Sequence, residues 1–313
     1  MNKHSLLRNL LVGAAGITAG GLAVGAWTIG IERRRFTLRR EELAILPAGS
    51  KPVDVLHLAD FHLAPGQRKK QRFVQSLAEL RPDLIVATGD NLGHKDALPH
   101  LAEMLEPFRG IPALSVFGSN DYFGPIFKNP LTYLMPRRPQ PKRVRDLDER
   151  ALRELLFDDL GWVDLTNRAE IVEAGGLRIR TVGVDDPHIK VDRLPQALES
   201  LRGVSAGAEW DLTLGLVHAP YQRILTPYVA EVGADAIFAG HTHGGQVCLP
   251  GGRAIVSNCD LPTEKAGGLS TWEAASGSAP LHVSRGLGTS IYSPVRLFCP
   301  PEATLLRLVP KAR

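Results

Sequence analysis

The feature that most constrains the fold is a series of short, almost wholly apolar runs separated by amphipathic stretches. The first three runs are VDVLHLAD (53–60), DLIVATGD (83–90) and IPALSVFG (111–118). The stretch between the first two has Phe73, Leu77 and Leu80 at helical spacing. Strands without polar alternation are buried on both faces, as in parallel sheets built from βαβ units. The sequence therefore predicts an α/β domain.

The second half of the chain has the same alternation. A helical pattern at 149–160 precedes the strand-like runs EIVEAGG and LRIRTVGV, and another helical pattern follows around 192–202. Further strands are predicted at 211–220 and 234–243. This order favours two sheets packed face to face, with helices on the outside, in one domain that spans 52–310.

The N-terminus contains an apolar run. Between Arg8 and Glu32 lie 23 residues without a charge, which is long enough to cross a bilayer as a helix. We therefore expect residues 1–32 to form a retained membrane anchor with one transmembrane helix. A cleaved signal peptide, for which no clear A-x-A site follows the run, and a buried helix of a soluble protein are the alternatives. Five arginines within 33–40 follow it, so the positive-inside rule predicts a single-pass protein of the cell membrane with its domain on the cytoplasmic side.

Two segments have the composition of connecting regions. Residues 33–51 are rich in charge and are predicted to be a basic linker. Residues 124–150 are rich in proline and basic residues, and so long an irregular segment within a domain is usually a functional lid or a disordered excursion. We interpret it as a solvated loop or as a flap that faces substrate or membrane.

Overall composition excludes some classes of function. The formal charge of +4 on 313 residues is too small to predict nucleic-acid binding. The three cysteines, Cys248, Cys259 and Cys299, have no metal-ligand spacing and are too few for a disulfide framework.

Polar side chains follow five of the apolar strands at the point where each strand ends. They are Asp60-Phe61-His62, Gly89-Asp90-Asn91, Gly118-Ser119-Asn120-Asp121, His218 and Gly240-His241-Thr242-His243. Sites in open α/β sheets form beyond the carboxyl ends of strands, so these groups are expected to converge. Carboxylate, imidazole and amide ligands suit Mn, Fe or Zn better than Ca or Mg. The set is too large for one tetrahedral ion and about right for two ions, which suits phosphoryl hydrolysis.

These motifs, in this order, resemble the calcineurin-like metallophosphoesterases, whose pattern is D-x-H, GD, GNH[DE], a lone His and GHxH. The extended forms LHLADFHL, PDLIVATGDN, GHTHGGQV and VSRGLGTS resemble its membrane-associated bacterial branch, which includes UDP-2,3-diacylglucosamine pyrophosphohydrolases. The resemblance covers nearly all of 52–310. It implies a four-layer α-β-β-α sandwich with two mixed sheets.

The resemblance also implies a role for each matching residue. Asp60, His62 and His243 would bind one divalent ion, and Asp90 would bridge to a second ion bound by Asn120, His218 and His241. Asp90, Asn120 and Asp121 are the candidate catalytic residues, Asp121 as a proton donor if burial raises its pKa. Arg285 is a candidate substrate-binding residue, with a structural role in its glycine-rich turn as the alternative.

The stretch GSND (118–121) departs from the GNH[DE] pattern. Aligned without a gap, Ser119 takes the ligand position and Asn120 replaces the histidine. We favour a shift of one residue that makes Asn120 the ligand, because an amide carbonyl is a better ligand than a neutral hydroxyl. In either register the imidazole is missing, which should matter least when the leaving group is a stable anion such as phosphate.

The predicted function is therefore hydrolysis of a phosphodiester or diphosphate bond by a metal-dependent phosphoesterase with two divalent ions. A phosphate-containing substrate that is nucleotide-linked, lipid-linked or membrane-associated is expected. The alternatives are a broad phosphomonoesterase or phosphoprotein phosphatase, and a membrane protein that binds metal without catalysis.

Overall fold

A computed structural model describes residue 18 and residues 20–126 and 143–311. In chain order, the strands of the described residues are β1 (Thr37–Leu46), β2 (Val53–Leu58), β3 (Leu84–Ala87), β4 (Ala113–Ser115), β5 (Val163–Asp164), β6 (Arg168–Ala174), β7 (Leu177–Gly183), β8 (Leu212–Val217), β9 (Ala236–Ala239), β10 (Cys248–Leu249), β11 (Arg253–Ala254), β12 (Gly268–Ala274), β13 (Gly277–Val283) and β14 (Glu302–Pro310). The helices that flank the sheets are α1 (Arg68–Ser76), α2 (Leu98–Leu105), α3 (Glu149–Arg153), α4 (Leu194–Ser205) and α5 (Gln222–Pro227).

Twelve of these strands form two six-stranded mixed sheets. The order in the first sheet is β1-β14-β2-β3-β4-β5, and the order in the second is β12-β13-β9-β8-β7-β6. Strands β2 to β5 are parallel to one another, and so are β7, β8, β9 and β13. The carboxyl ends of the parallel strands in each sheet therefore lie at one edge.

Alternate residues along the strands point into different apolar layers. Val55 and Val86 belong to the core between the sheets, where they join Leu214 and Phe238 of the second sheet. Their neighbours Leu56 and Ile85, with others, belong to the outer layer that contains the apolar faces of α1 and α2. A third layer packs α4 and α5 on the outer face of the second sheet. The predicted two-sheet α/β fold with outer helices is confirmed.

The segment predicted as a linker contains an element of secondary structure. Strand β1 lies within 33–51 and pairs in parallel with β14 along most of its length. Its sequence, TLRREELAIL, is charged because the strand lies at a sheet edge and only Ile45 and Leu46 are buried. The charges conceal the strand from a search for apolar runs.

The prediction of a transmembrane helix is wrong: in the part of the chain that the structure describes, no helix is long and apolar enough to cross a membrane. The single-pass location at the cell membrane is therefore not supported. Residues 1–17 and 19, which include the first half of the apolar run, lie outside the described residues. Of the described residues of the run, Thr28 is buried, whereas Leu22, Trp27 and Ile29 are exposed. Just after the run, the buried Glu32 carboxylate accepts a hydrogen bond from the Cys299 N–H at 2.7 Å.

The described ends of the proline-rich segment lie close together. The Gly124 N–H donates to the Asp146 carboxylate at 2.7 Å, and the Leu147 N–H donates to the Tyr122 carbonyl. Residues 127–142 lie outside the described residues, so the flap stays a prediction.

Candidate metal centre

The predicted site residues lie in loops directly after the strands. Strands β2 and β9 end two residues before the first polar residue of their motifs, so these polar residues lie outside the strands. The backbone turns instead through the left-handed region, with φ of 52° at Asp60, 40° at His62, 56° at Asp90, 69° at His241 and 51° at His243. Such residues cost about 1–3 kcal/mol each and cluster at functional sites. Five of them at one edge point to a functional centre.

Two glycines allow the loops to come together. A Cβ at Gly118 would lie 2.4 Å from the Asp90 Oδ1 and 2.6 Å from the His218 ring. A Cβ at Gly240 would lie 2.7 Å from the Asp60 Oδ2. Any side chain at either position would therefore push a candidate ligand out of place.

Two buried carboxylates and several imidazoles meet at this edge. Within the described residues, two groups have ligand atoms close enough to hold a metal ion: Asp60 with His62 and His243, and Asp60 with Asp90 and His218. His62 Nε2 lies 3.1 Å from His243 Nε2 and 3.4 Å from Asp90 Oδ2. Asp90 Oδ1 lies 3.5 Å from His218 Nε2. Asp60 is therefore common to both groups, and the Asp90 carboxylate lies between His62 and His218.

His218 and His241 each have a buried ring nitrogen at the cluster. His218 Nδ1 lies 2.6 Å from the Thr88 carbonyl, so Nδ1 carries the proton and Nε2 is left as a ligand atom. Among the described residues, the Nε2 atoms of both rings have no hydrogen-bond partner. The structure does not place His241 in either group, but its ring centroid lies 5.1 Å from that of His218. Unpartnered buried nitrogens of this kind are explained by a ligand such as a metal ion.

The electrostatics of the cluster favour a bound cation. Burial lowers the pKa of His62 to about 4 and lowers the pKa values of His241 and His243 well below their usual range, so these rings are neutral, the form that binds metal. Burial raises the pKa of Asp60 to about 7. Burial acts to raise the pKa of Asp90 too, but His218, His62 and the hydrogen bonds from Asn120 together outweigh it, and the pKa is lowered. Burial acts to lower the pKa of His218, but the Asp90, Asp186 and Asp60 carboxylates outweigh it and raise this pKa to about 9. The buried carboxylates thus favour a positive charge among them, which a metal cation would supply.

Asn120 contacts the Asp90 carboxylate, whereas the side chain of Ser119 contacts Asn120. The Asn120 N–H donates to Asp90 Oδ1 at 2.7 Å, and its side-chain amide lies 2.7 Å from Asp90 Oδ2. Ser119 Oγ lies 3.3 Å from the Asn120 amide nitrogen. Because the two ends of an amide are interchangeable by a flip, the same position lets the Asn120 oxygen face an ion beside Asp90.

Asp121 is fully buried and supports the loops of the site. Its carboxylate accepts hydrogen bonds from the N–H groups of Gly118, Asp90 and Asn91 at 2.8–2.9 Å and from the Asn91 side chain at 3.1 Å. Burial raises its pKa to about 6. A carboxylate with four donors around it ties the second and third loops together, and its role as a proton donor stays a prediction.

Arg285 and Arg296 have different surroundings. The Arg285 side chain lies 3.9 Å from Glu302, and its stem lies beside Gly244, the residue after His243. Its contact with substrate stays a prediction. Arg296 is wholly buried, lies 3.3 Å from His243 Nδ1 and donates to the carbonyls of Gly286 and Gly288 at 3.1 and 2.7 Å.

Sequence reasoning missed Arg296 because it lies outside every motif, in a stretch without regular structure.

Sequence reasoning also left His188 outside the site, although this histidine follows a buried strand as the other site residues do. Its ring centroid lies 4.5 Å from that of His241. The same signal that identified the other strand-end residues could have identified it.

Comparisons with known proteins agree with this geometry. The chain is 26% identical to the uncharacterized metallophosphoesterase YkoQ of Bacillus subtilis over 270 residues, which cover 83% of this chain and 84% of the relative. It is 27% identical to the phosphodiesterase YaeI of Escherichia coli over 295 residues, 88% of each chain. A shorter match, 36% identical over 87 residues, is to the UDP-2,3-diacylglucosamine pyrophosphatase LpxG of Chlamydia muridarum and covers 26% of this chain and 25% of the relative.

The sequence profile of the calcineurin-like phosphoesterases matches residues 53–245, which begin at β2 and end just after His243. This range contains all seven predicted metal ligands. The family and the buried Asp/His cluster support binding of divalent metal ions. The chain therefore belongs to the calcineurin-like phosphoesterase family, and it is a metal-dependent phosphoester hydrolase.

Proposed function

We propose that the centre binds two divalent ions and hydrolyses a phosphodiester or diphosphate bond. The observation that carries this proposal is the convergence of Asp60 and Asp90 with four imidazoles and the Asn120 amide at one sheet edge. Seven donors exceed what one tetrahedral ion can use. The mixture of oxygen and imidazole nitrogen favours Mn, Fe or Zn.

The ligands divide between the ions as follows. Asp60, His62 and His243 would hold the first ion, Asn120, His218 and His241 would hold the second, and Asp90 would be shared by both. The position of Asp90, within 3.4–3.5 Å of an imidazole nitrogen on either side, supports the bridging role. When bound, such ions polarise the phosphoryl oxygens and lower the pKa of water so that it attacks at neutral pH.

Residues behind the ligands hold them in orientation. The Thr88 carbonyl fixes the tautomer of His218, and the Asp60 carboxylate accepts the His241 N–H at 3.0 Å. Arg296 donates to the carbonyls of Gly286 and Gly288, and so holds the Gly288 carbonyl that hydrogen-bonds to His243. Groups that orient metal ligands in this manner raise metal affinity, typically by 10–100-fold. The chain's own contribution to catalysis is therefore a rigid and largely water-free frame for phosphate.

The proposed substrate class is a phosphodiester or diphosphate, lipid-linked or nucleotide-linked. The printed names of two relatives, a phosphodiesterase and a UDP-2,3-diacylglucosamine pyrophosphatase, support this class. The loop at 118–121 supplies no imidazole to protonate a poor leaving group. A phosphate leaving group departs as a stable anion and needs this proton least.

A comparison of two substrates tests the substrate class. Manganese-loaded full-length protein should cleave bis-p-nitrophenyl phosphate with a higher kcat/KM than p-nitrophenyl phosphate, and should release phosphate products from a nucleotide-sugar diphosphate. Faster cleavage of the monoester would favour the phosphomonoesterase alternative. Asp90→Ala should lose both metal and turnover, while Asp158→Ala, a change at an exposed aspartate, should keep both.

A second pair of variants tests the ligand in the GSND stretch. Asn120→Ala should bind one metal ion per chain, because it removes a ligand of the second ion, whereas Ser119→Ala should bind two. Metal analysis by mass spectrometry measures both. The opposite result would make Ser119 the ligand.

A further inference from the structure

A fifth histidine, His188, lies beside the proposed ligands, on a loop that contains none of them. His188 lies between β7 and α4, and its ring centroid is 4.5 Å from that of His241. It is half-buried, whereas the proposed ligand histidines are buried, so it lies at the rim of the site. It belongs to neither group of ligand atoms close enough to hold an ion.

The loop that carries His188 is held by buried polar groups. The His188 N–H donates to the Asp186 carboxylate at 2.8 Å. The side-chain oxygen of Asn167 accepts the N–H of Asp185 at 3.1 Å and the N–H of Arg193 at 2.6 Å, so one amide joins the two ends of the loop. A loop built in this way presents its central side chain in one position.

A second set of contacts fixes the middle of the loop. The Arg223 guanidinium donates to both carboxylate oxygens of Asp192 and to the carbonyl of Pro187. A bidentate arginine–carboxylate pair has a specific geometry. The residue before His188 is thus attached to the helix that follows β8.

The His188 ring also has a partner that sets its orientation. Its Nδ1 lies 3.1 Å from the Tyr221 hydroxyl. When this hydroxyl donates to Nδ1, the proton of the neutral ring lies on Nε2, and the ring is a hydrogen-bond donor on its other side. A phosphate group bound at the cluster offers acceptors within the region that the ring faces, next to His241.

We propose that His188 contacts the substrate, with its imidazole donating a hydrogen bond to a phosphoryl oxygen of the diester or diphosphate. This inference rests on the proposed function. Donors placed where charge develops in the transition state contribute most in a site that excludes water. The 118–121 loop of the first sheet carries no imidazole, so His188 supplies this contact from a loop of the second sheet.

Three variants and one control test the contact in full-length, manganese-loaded protein. His188→Ala should lower kcat/KM for bis-p-nitrophenyl phosphate about 10²–10³-fold, the usual effect of losing one such donor. His188→Gln, whose amide nitrogen replaces Nε2, should recover part of this loss. Tyr221→Phe should have a smaller effect because it removes only the orienting hydroxyl. His100→Ala, a change on α2 behind the first sheet, should leave kcat/KM unchanged.

Metal content and phosphate binding give readouts that do not depend on turnover. His188→Ala should keep the wild-type number of bound ions by mass spectrometry and should bind inorganic phosphate about tenfold more weakly by calorimetry, as expected for the loss of one hydrogen bond to a charged group. Unchanged kcat/KM and phosphate affinity would overturn the proposal. Loss of a metal ion would also overturn it, since His188 would then be a ligand. If the wild-type protein turned over no diester, the proposed function would fail, but phosphate binding would still test His188.

Discussion

Replacing Asp121 tests whether this residue holds the loops of the site together or donates a proton in catalysis. The carboxylate accepts four hydrogen bonds, and three of the donors are buried main-chain N–H groups of the two loops that carry Asp90 and Asn120. Asp121→Ala removes all four acceptors at once. Asp121→Asn keeps one oxygen and turns the other into an NH₂ group that faces two donors.

The magnitude follows from the donors that are left without partners. Each buried unsatisfied donor costs about 1–3 kcal/mol. Water can enter around the small alanine side chain, so we expect Asp121→Ala to lower the free energy of unfolding by about 3–5 kcal/mol in total, rather than by the full sum. Asp121→Asn loses about half of the acceptors and should cost about 2–3 kcal/mol.

Urea unfolding followed by circular dichroism measures these changes, with kcat/KM for bis-p-nitrophenyl phosphate measured on the same samples. Asp158→Asn is the matched control, because this aspartate is exposed and the change should stay within about 0.5 kcal/mol. The reasoning would be refuted if Asp121→Asn kept wild-type stability and metal content yet lost all turnover. That result would assign Asp121 the role of proton donor.

Three further changes test other parts of the structure. Arg296→Lys should lower the free energy of unfolding by about 2–4 kcal/mol in urea, because one ammonium cannot replace a fork that donates to several buried carbonyls; wild-type stability would contradict this. Gly215→Ala should lower the free energy of unfolding by about 1–3 kcal/mol, because its Cβ would lie 2.6 Å from the Tyr228 ring. The control is Gly203→Ala in α4, whose Cβ would have no described atom within 4 Å; it should raise the free energy of unfolding by about 0.5–1 kcal/mol. Chelator-treated protein given Mn²⁺ at 100 times its Kd should gain about 2.7 kcal/mol of unfolding free energy for each ion that binds, and no gain would argue against a folded-state metal site.

The sequence predicted the fold and the site best where a buried strand is followed directly by polar site residues. Strands β2, β3, β8 and β9 are apolar on both faces because they lie between two layers, so their runs predict both the elements and the edge where the polar residues converge. Edge strand β1 is exposed on one side and charged, so no apolar run marks it. The apolar run before Glu32 was over-interpreted because an uncharged run is not by itself a membrane span: within the described residues, no helix is long and apolar enough to cross a membrane.

The residues that orient the ligands were harder to predict than the ligands themselves. Ligand types are restricted by metal chemistry and follow strands in a recognisable order. Arg296 acts through a long side chain that reaches back to His243 from 53 positions later in the chain, and nothing in its local sequence marks it. The left-handed backbone at Asp60 and His62 was equally hidden, since only a small fraction of aspartates and histidines adopt it.

The most direct test of the central claim is a titration of metal-free protein with Mn²⁺, with bound metal and turnover of bis-p-nitrophenyl phosphate measured in each sample. The account predicts that the protein saturates at two ions per chain and that turnover rises as the second ion binds. Saturation at one ion with full turnover, or at two ions with no turnover of any diester or diphosphate by folded protein, would contradict it.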